Sequence, residues 1–179
     1  MKPALLIVDL QNDYFPGGSM ELVNIDCAGV NARLLLDKFR YQGLPTFHIQ
    51  HTFLNSNAGF FLPDTKGAEI HDCVDPLPSE PVIHKHFPNS FRETDLLEQL
   101  NKKNIRDLVI CGAMSQICID ATTRAASDYK FKCTVVQDAC ATRDIKFQGK
   151  TVTAGDVHSV AMSSLGFGYA NVVDIRQLV

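Results

Sequence analysis

The sequence predicts an α/β fold, with a buried parallel sheet covered by helices on both faces. Short runs that are apolar at nearly every position recur at 4–8, 46–49, 108–111, 134–136 and 170–173. Segments with helical spacing lie between them. Strands alternating with helices call for right-handed crossovers, which place helices on both sides of one sheet.

The strand runs do not alternate apolar with polar. A strand buried on both faces has no solvent side, so it reads as a continuous apolar stretch. The first helix is predicted at 26–42, where Val30, Leu34, Leu35 and Lys38 share a face and Gly43 is placed to end it. Leu96, Leu97 and Leu100 mark a second at 94–103. An Ala- and Thr-rich stretch at 116–129 and a final one at 157–167 complete the set. The segment 52–81 breaks the rhythm with Asn, Gly, Asp and the prolines Pro63, Pro76, Pro78 and Pro81. A loop of that length in a compact domain is commonly functional. One domain over 1–179 is expected.

Composition narrows the function. The chain has 179 residues, is 45% hydrophobic, and has a formal net charge of -3. It lacks the basic stripe of a nucleic-acid binder and the long apolar run of a membrane span. The first apolar run meets Asp9 too early for a signal peptide, so a cytoplasmic protein is expected. Six cysteines without a CxxC pair read as reduced thiols.

Ligands bind at the carboxyl ends of strands in an open parallel sheet. Three polar groups fall there. Asp9 follows Leu5-Leu6-Ile7-Val8, where partial desolvation raises a carboxylate's pKa and improves it as a base. Cys118 sits where strand 108–111 turns into a helix; the helix dipole there favours a thiolate, and unpaired N–H groups can stabilise an oxyanion. Lys85 follows Val82-Ile83-His84, and beside the other two it would lower both pKa values. Each has an ordinary reading as cap, packed thiol or snorkelling lysine. Together they supply base, nucleophile and electrostatic partner. Cys111, inside its strand, reads as inert core.

The motifs resemble the isochorismatase-like cysteine hydrolase superfamily, with its nicotinamidases, N-carbamoylsarcosine amidase and ureide hydrolases. Leu5 to Phe15 resembles the opening strand and a D-x-Q-x-D-F motif. Lys85-His86-Phe87-Pro88-Asn89-Ser90-Phe91 resembles the lysine motif. Leu108 to Gly112 followed by Cys118-Ile119-Asp120-Ala121-Thr122 resembles the nucleophile motif, and Val135 to Thr142 the strand and loop after it. The resemblance implies a Rossmann-like three-layer αβα fold and a catalytic Asp9–Lys85–Cys118 triad. It also implies a cis peptide at Ala113–Met114 and an oxyanion hole from the backbone N–H groups of Met114 and Cys118. The implied reaction is cleavage of a C–N bond in a small amide or ureide through a thioester, with family members forming homodimers or homotetramers.

Two departures bear on the substrate. Nicotinamidases of this superfamily hold a metal through Asp-x-His after the second strand and a later His. This chain has Phe47-His48-Ile49-Gln50-His51-Thr52 instead, so no metal or other cofactor is expected, although His48, His51 and His71 remain possible ligands. True isochorismatases cleave a vinyl ether without needing a thiol, and Cys118 favours the amidase side. The ether hydrolase, a non-catalytic member of the fold and a thiol sensor pairing Cys118 with Cys111 or Cys140 stand as alternatives. Phe15, Gln50, His51 and Phe87 are the substrate-binding candidates, with Phe53, Phe60 and Phe61 as further walls. Arg124 reads as a structural ion pair, and Leu165-Gly166-Phe167-Gly168-Tyr169 as helix end or subunit contact.

Overall fold

The computed structural model describes residues 2–179. Its sheet is built from β1 (Ala4–Val8), β2 (Thr46–His51), β3 (Val82–Lys85), β4 (Asp107–Ala113), β5 (Lys132–Ala141) and, after a small hairpin of β6 (Ile145–Phe147) and β7 (Lys150–Val152), β8 (Asn171–Val173). The order is β3-β2-β1-β4-β5-β8, and every neighbouring pair is parallel. From β1 the chain steps outward through β2 to β3, then crosses back to β4 on the other flank. The order therefore reverses between β1 and β4, and a crevice opens at the carboxyl ends beside such a reversal.

Four helices flank the sheet: α1 (Ile25–Tyr41), α2 (Leu96–Lys102), α3 (Asp120–Asp128) and α4 (Ala154–Gly168). Leu35, Leu36 and Phe39 of α1 pack with Leu5, Ile7 and Cys111 on one face. Leu96 and Leu100 of α2, Ala126 of α3 and Leu165 of α4 pack with Leu6, Val8 and Ile110 on the other. Burying each such Leu or Ile contributes roughly 1.5–3 kcal/mol. This is the three-layer arrangement expected.

The differences have local causes. β3 was not foreseen as a strand; it is an edge of the sheet and alternates buried Ile83 and Lys85 with exposed His84. β5 runs well past the predicted 134–136, because the polar pair Gln137-Asp138 inside it hides its length. The predicted helix at 116–129 is two pieces, a single π turn (Ser115–Ile119) followed by α3. The peptide Ala113–Met114 before that turn is cis, as the resemblance implied.

The segment between β2 and β3 contains three short 3-10 turns and no longer helix. It is tied to the chain just after β1. Asp13 Oδ2 accepts from the Phe61 N–H at 2.7 Å, and Asn12 Nδ2 donates to the Lys66 carbonyl at 2.8 Å. The Asn12 N–H donates to the Glu69 carbonyl at 3.0 Å. Gly67 packs so tightly on Asp13 that a Cβ there would lie 2.2 Å from the carboxylate. No helix among the described residues is long and apolar enough to cross a membrane.

Candidate active site

Asp9 is the first residue beyond β1, in the left-handed region at φ 53°, with its N–H bound to the Ile49 carbonyl at 3.1 Å. Lys85 is the last residue of β3, on the same face of its strand as buried Ile83. Cys118 lies in the π turn after β4; such turns recur at functional sites. Gly112 lets the end of β4 come this close to β1. It sits at φ +126°, and a Cβ on it would lie 1.9 Å from the Val8 carbonyl oxygen. No side chain fits there.

These elements bring the three predicted residues together. Lys85 Nζ is 2.8 Å from Asp9 Oδ2 and 3.3 Å from Cys118 Sγ. Asp9, Lys85 and Cys118 are 0%, 1% and 4% exposed, so the group is screened from bulk water. Lys85 also reaches His51 Nδ1 at 3.0 Å and the Phe87 carbonyl at 3.1 Å.

Burial dominates the electrostatics. It raises the Asp9 pKa above 3.8, although Lys85 pulls the other way. Burial opposes the Lys85 charge, but Asp9 and Cys118 outweigh it and hold the ammonium above its ordinary pKa. The Cys118 thiol corrects the sequence reading. A pKa lowered by the helix start and by Lys85 was expected; instead burial, reinforced by the Asp9 charge, raises it, and Lys85 only partly offsets this. The resting group is a protonated thiol facing a carboxylate with raised basicity.

The other candidates have other partners. Phe15 is buried, stacked on His71 at 3.5 Å. Gln50 donates its side-chain N–H to the Ala68 carbonyl at 2.8 Å. Phe87 lies under the Arg92 guanidinium at 3.6 Å while its carbonyl serves Lys85. Phe53 sits 4.4 Å from the His51 ring, ahead of Phe60 and Phe61. Cys111 is fully buried, and Arg124 pairs with Asp120 at 2.8 Å.

The nicotinamidase type of metal set does not form. His48 and His51 are three apart on one strand and so face opposite sides. His48 binds Glu80, Gln50 is engaged with Ala68, and His71 accepts from the Cys73 N–H. A different set of donors converges: one ligand atom each from Asp9, His51 and Cys118, all within 4.8 Å of one another. Lys85 Nζ contacts Asp9 Oδ2, His51 Nδ1 and Cys118 Sγ, so an ammonium already neighbours each of the three residues.

Sequence reading missed the residues that hold this floor in place. Gln11 Nε2 donates to the carbonyls of both His51 and Ala68 at 2.8 Å, and Asp13 pins the middle loop. Around the π turn, Ser115 Oγ lies 2.8 Å from His158 Nδ1, and Thr142 donates to Gln116 at 2.6 Å. Gln11 and Asp13 stand in the D-x-Q-x-D motif, where their polarity beside a buried strand was the available signal.

Residues 3–165 match the Isochorismatase domain model, and the chain belongs to the isochorismatase family. It is 49% identical over 172 residues to the uncharacterized isochorismatase family protein YddQ of Bacillus subtilis (strain 168), spanning 96% of each chain. A crystal structure of an isochorismatase hydrolase homologue from Oleispira antarctica superposes with a TM-score of 0.94 at 48% identity, covering 99% of this chain and 95% of that one. Nicotinamidase 3 of Arabidopsis thaliana is 25% identical over 98% of this chain and 86% of its own length. The chain is an isochorismatase-family hydrolase.

Proposed function

We propose that this chain hydrolyses a C–N bond of a small amide or ureide, with Cys118 as nucleophile, Asp9 as proton carrier and Lys85 as electrostatic partner. One observation carries the reading: the Lys85 ammonium bridges a buried carboxylate and a buried thiol at 2.8 and 3.3 Å. A structural ion pair has no use for the thiol, whereas a nucleophile needs a base and a counter-charge within reach. The relative named Nicotinamidase 3 supports an amide substrate.

Asp9 takes the Cys118 proton as the sulfur bonds to the substrate carbonyl carbon. The oxyanion forms against the backbone N–H groups of Met114 and Cys118. The C–N bond then breaks, and the nitrogen leaves with the proton returned by Asp9. In the second half Asp9 takes a proton from water, the hydroxide attacks the thioester carbon, and Cys118 leaves as a thiol. Lys85 stays protonated throughout and offsets the negative charge wherever it sits. The scheme uses no metal. The enzyme it describes is cytoplasmic and a homodimer or homotetramer.

The test is ammonia release from nicotinamide, N-carbamoyl amino acids, ureidoacrylate, biuret and simple amides, with Cys118→Ala alongside. Turnover that vanishes in the variant is expected. Full amidase rate in Cys118→Ala would rule out the scheme.

A further inference from the structure

His51 closes β2 beside Lys85, and a single side chain holds its backbone from both sides. Gln11 Oε1 accepts from the His51 N–H and Gln11 Nε2 donates to the His51 carbonyl, each at 2.8 Å. The ring therefore starts from a fixed place. Its Nδ1 lies 3.0 Å from Lys85 Nζ. An ammonium has three donors and no acceptor, so Nδ1 is the accepting nitrogen. A neutral imidazole that accepts at Nδ1 carries its proton on Nε2. Burial, with Lys85 and His86 nearby, holds the ring's pKa down at about 3, which keeps it neutral.

The Nε2–H is buried and has no hydrogen-bond partner among the described residues. Native proteins leave few such donors, and those left are costly unless something else pairs with them. Its surroundings offer no substitute: Phe53 lies 4.4 Å and Phe61 6.1 Å from the ring, centre to centre. One ring nitrogen of His51 lies within 4.8 Å of both an Asp9 oxygen and Cys118 Sγ, so the imidazole as a whole borders the nucleophile. The charge on Lys85 is not spare. Its three N–H groups are already shared among Asp9 Oδ2, His51 Nδ1, the Phe87 carbonyl, Cys118 Sγ and the Pro88 carbonyl, at 2.8, 3.0, 3.1, 3.3 and 3.4 Å. A substrate carboxylate would find no free cation there, and Asp9 would repel it.

We infer that His51 is a specificity-determining residue whose Nε2–H binds a second acceptor, a carbonyl oxygen or a ring nitrogen, carried by an uncharged substrate beside the carbon that Cys118 attacks. This rests on the reading of Cys118 as nucleophile and adds the substrate class to it. Phe53, 4.4 Å from the His51 ring, is the apolar neighbour that such a molecule would meet.

Two measurements on the full chain test it. The first is the long-range 1H–15N spectrum of the histidine rings at neutral pH, with His51 assigned by His51→Gln. A neutral Nε2–H ring is expected; an Nδ1–H ring or an imidazolium overturns the inference, and this readout uses the wild-type chain, whatever the stability of any variant. The second is the rate of alkylation at Cys118, read on its own peptide by mass. Iodoacetamide carries an acceptor beside the reacting carbon, and allyl bromide carries none. In His51→Phe the iodoacetamide-to-allyl bromide ratio should fall about tenfold, the worth of one buried hydrogen bond, while His51→Gln, which can still donate, should keep most of it. Equal ratios in wild type and His51→Phe overturn the inference. Neither readout needs amide turnover, so a failure of the amidohydrolase reading would show separately, as absent ammonia release with the alkylation selectivity intact.

Discussion

The protein sets two carboxylates against cations, Glu80 half-buried and Asp9 fully buried, and they are built in opposite ways. At the amino end of β3, Glu80 takes two bonds from Arg40 at 2.8 and 2.7 Å, one from the Leu77 N–H at 2.9 Å, and lies 3.0 Å from His48 Nε2. Burial would raise its pKa, but those bonds outweigh burial and bring it down to about 2. At the carboxyl end of β1, Asp9 has Lys85 at 2.8 Å on Oδ2, and its Oδ1 has no hydrogen-bond partner among the described residues. There burial prevails and the pKa rises. A saturated carboxylate is a brace; an under-coordinated one beside a thiol is available for proton transfer.

The sharpest way to break this comparison is to remove each side's chemistry. Cys118→Ala should cut amide turnover by at least about a thousandfold, since it deletes the nucleophile, and ammonia release reads it. Asp9→Asn should lose a similar factor and also leave the Lys85 charge buried without its partner, which costs about 3–5 kcal/mol; urea unfolding beside the activity assay measures both. Gly112→Ala places a methyl 1.9 Å from the Val8 oxygen, so the strand ends must move apart. A loss of about 3 kcal/mol or more, with activity falling alongside stability, is expected from chemical denaturation.

Glu80→Gln should do the reverse of Asp9→Asn. Removing charge-assisted bonds costs roughly 2–3 kcal/mol of stability, while kcat/KM stays within a few-fold. The sign with pH follows from the lowered pKa. Glu80 stabilises the fold fully above its ordinary 4.5, and that stability is lost as pH falls from 4.5 towards about 2. The variant should lack this part of the acid slope in a melting curve series. Smallest is Arg124→Ala on a surface i,i+4 pair with Asp120, expected to cost under about 1 kcal/mol.

The fold was legible where burial is complete. β1 was read to the residue and α1 to within one at each end, because an unbroken apolar run and a helical stripe closed by Gly43 leave little choice. β3 and the far half of β5 were not, since an edge strand carrying His84 and a strand carrying Gln137-Asp138 look like loops until their neighbours are known. The hairpin β6–β7 turns on Gln148-Gly149, with positive φ at both positions, and the glycine is the only mark of that turn in the sequence. In the site, residue types at strand ends pointed to Asp9, Lys85 and Cys118, and the ordered motifs did the rest. The protonation state was not legible. A helix start and a lysine argue for a thiolate, and only the depth of burial reverses that. Gln11, whose work is to hold the His51 backbone, gave no sign of its partner from forty residues away.

The contrast between the two carboxylates can be measured directly by a carboxyl 13C NMR titration of the wild-type protein, with Asp9 and Glu80 assigned by Asp9→Asn and Glu80→Gln. The expected result is Asp9 titrating above 3.8 and Glu80 near about 2. Asp9 titrating below its ordinary value, with Glu80 unshifted, would contradict the division between a poised carboxylate and a braced one.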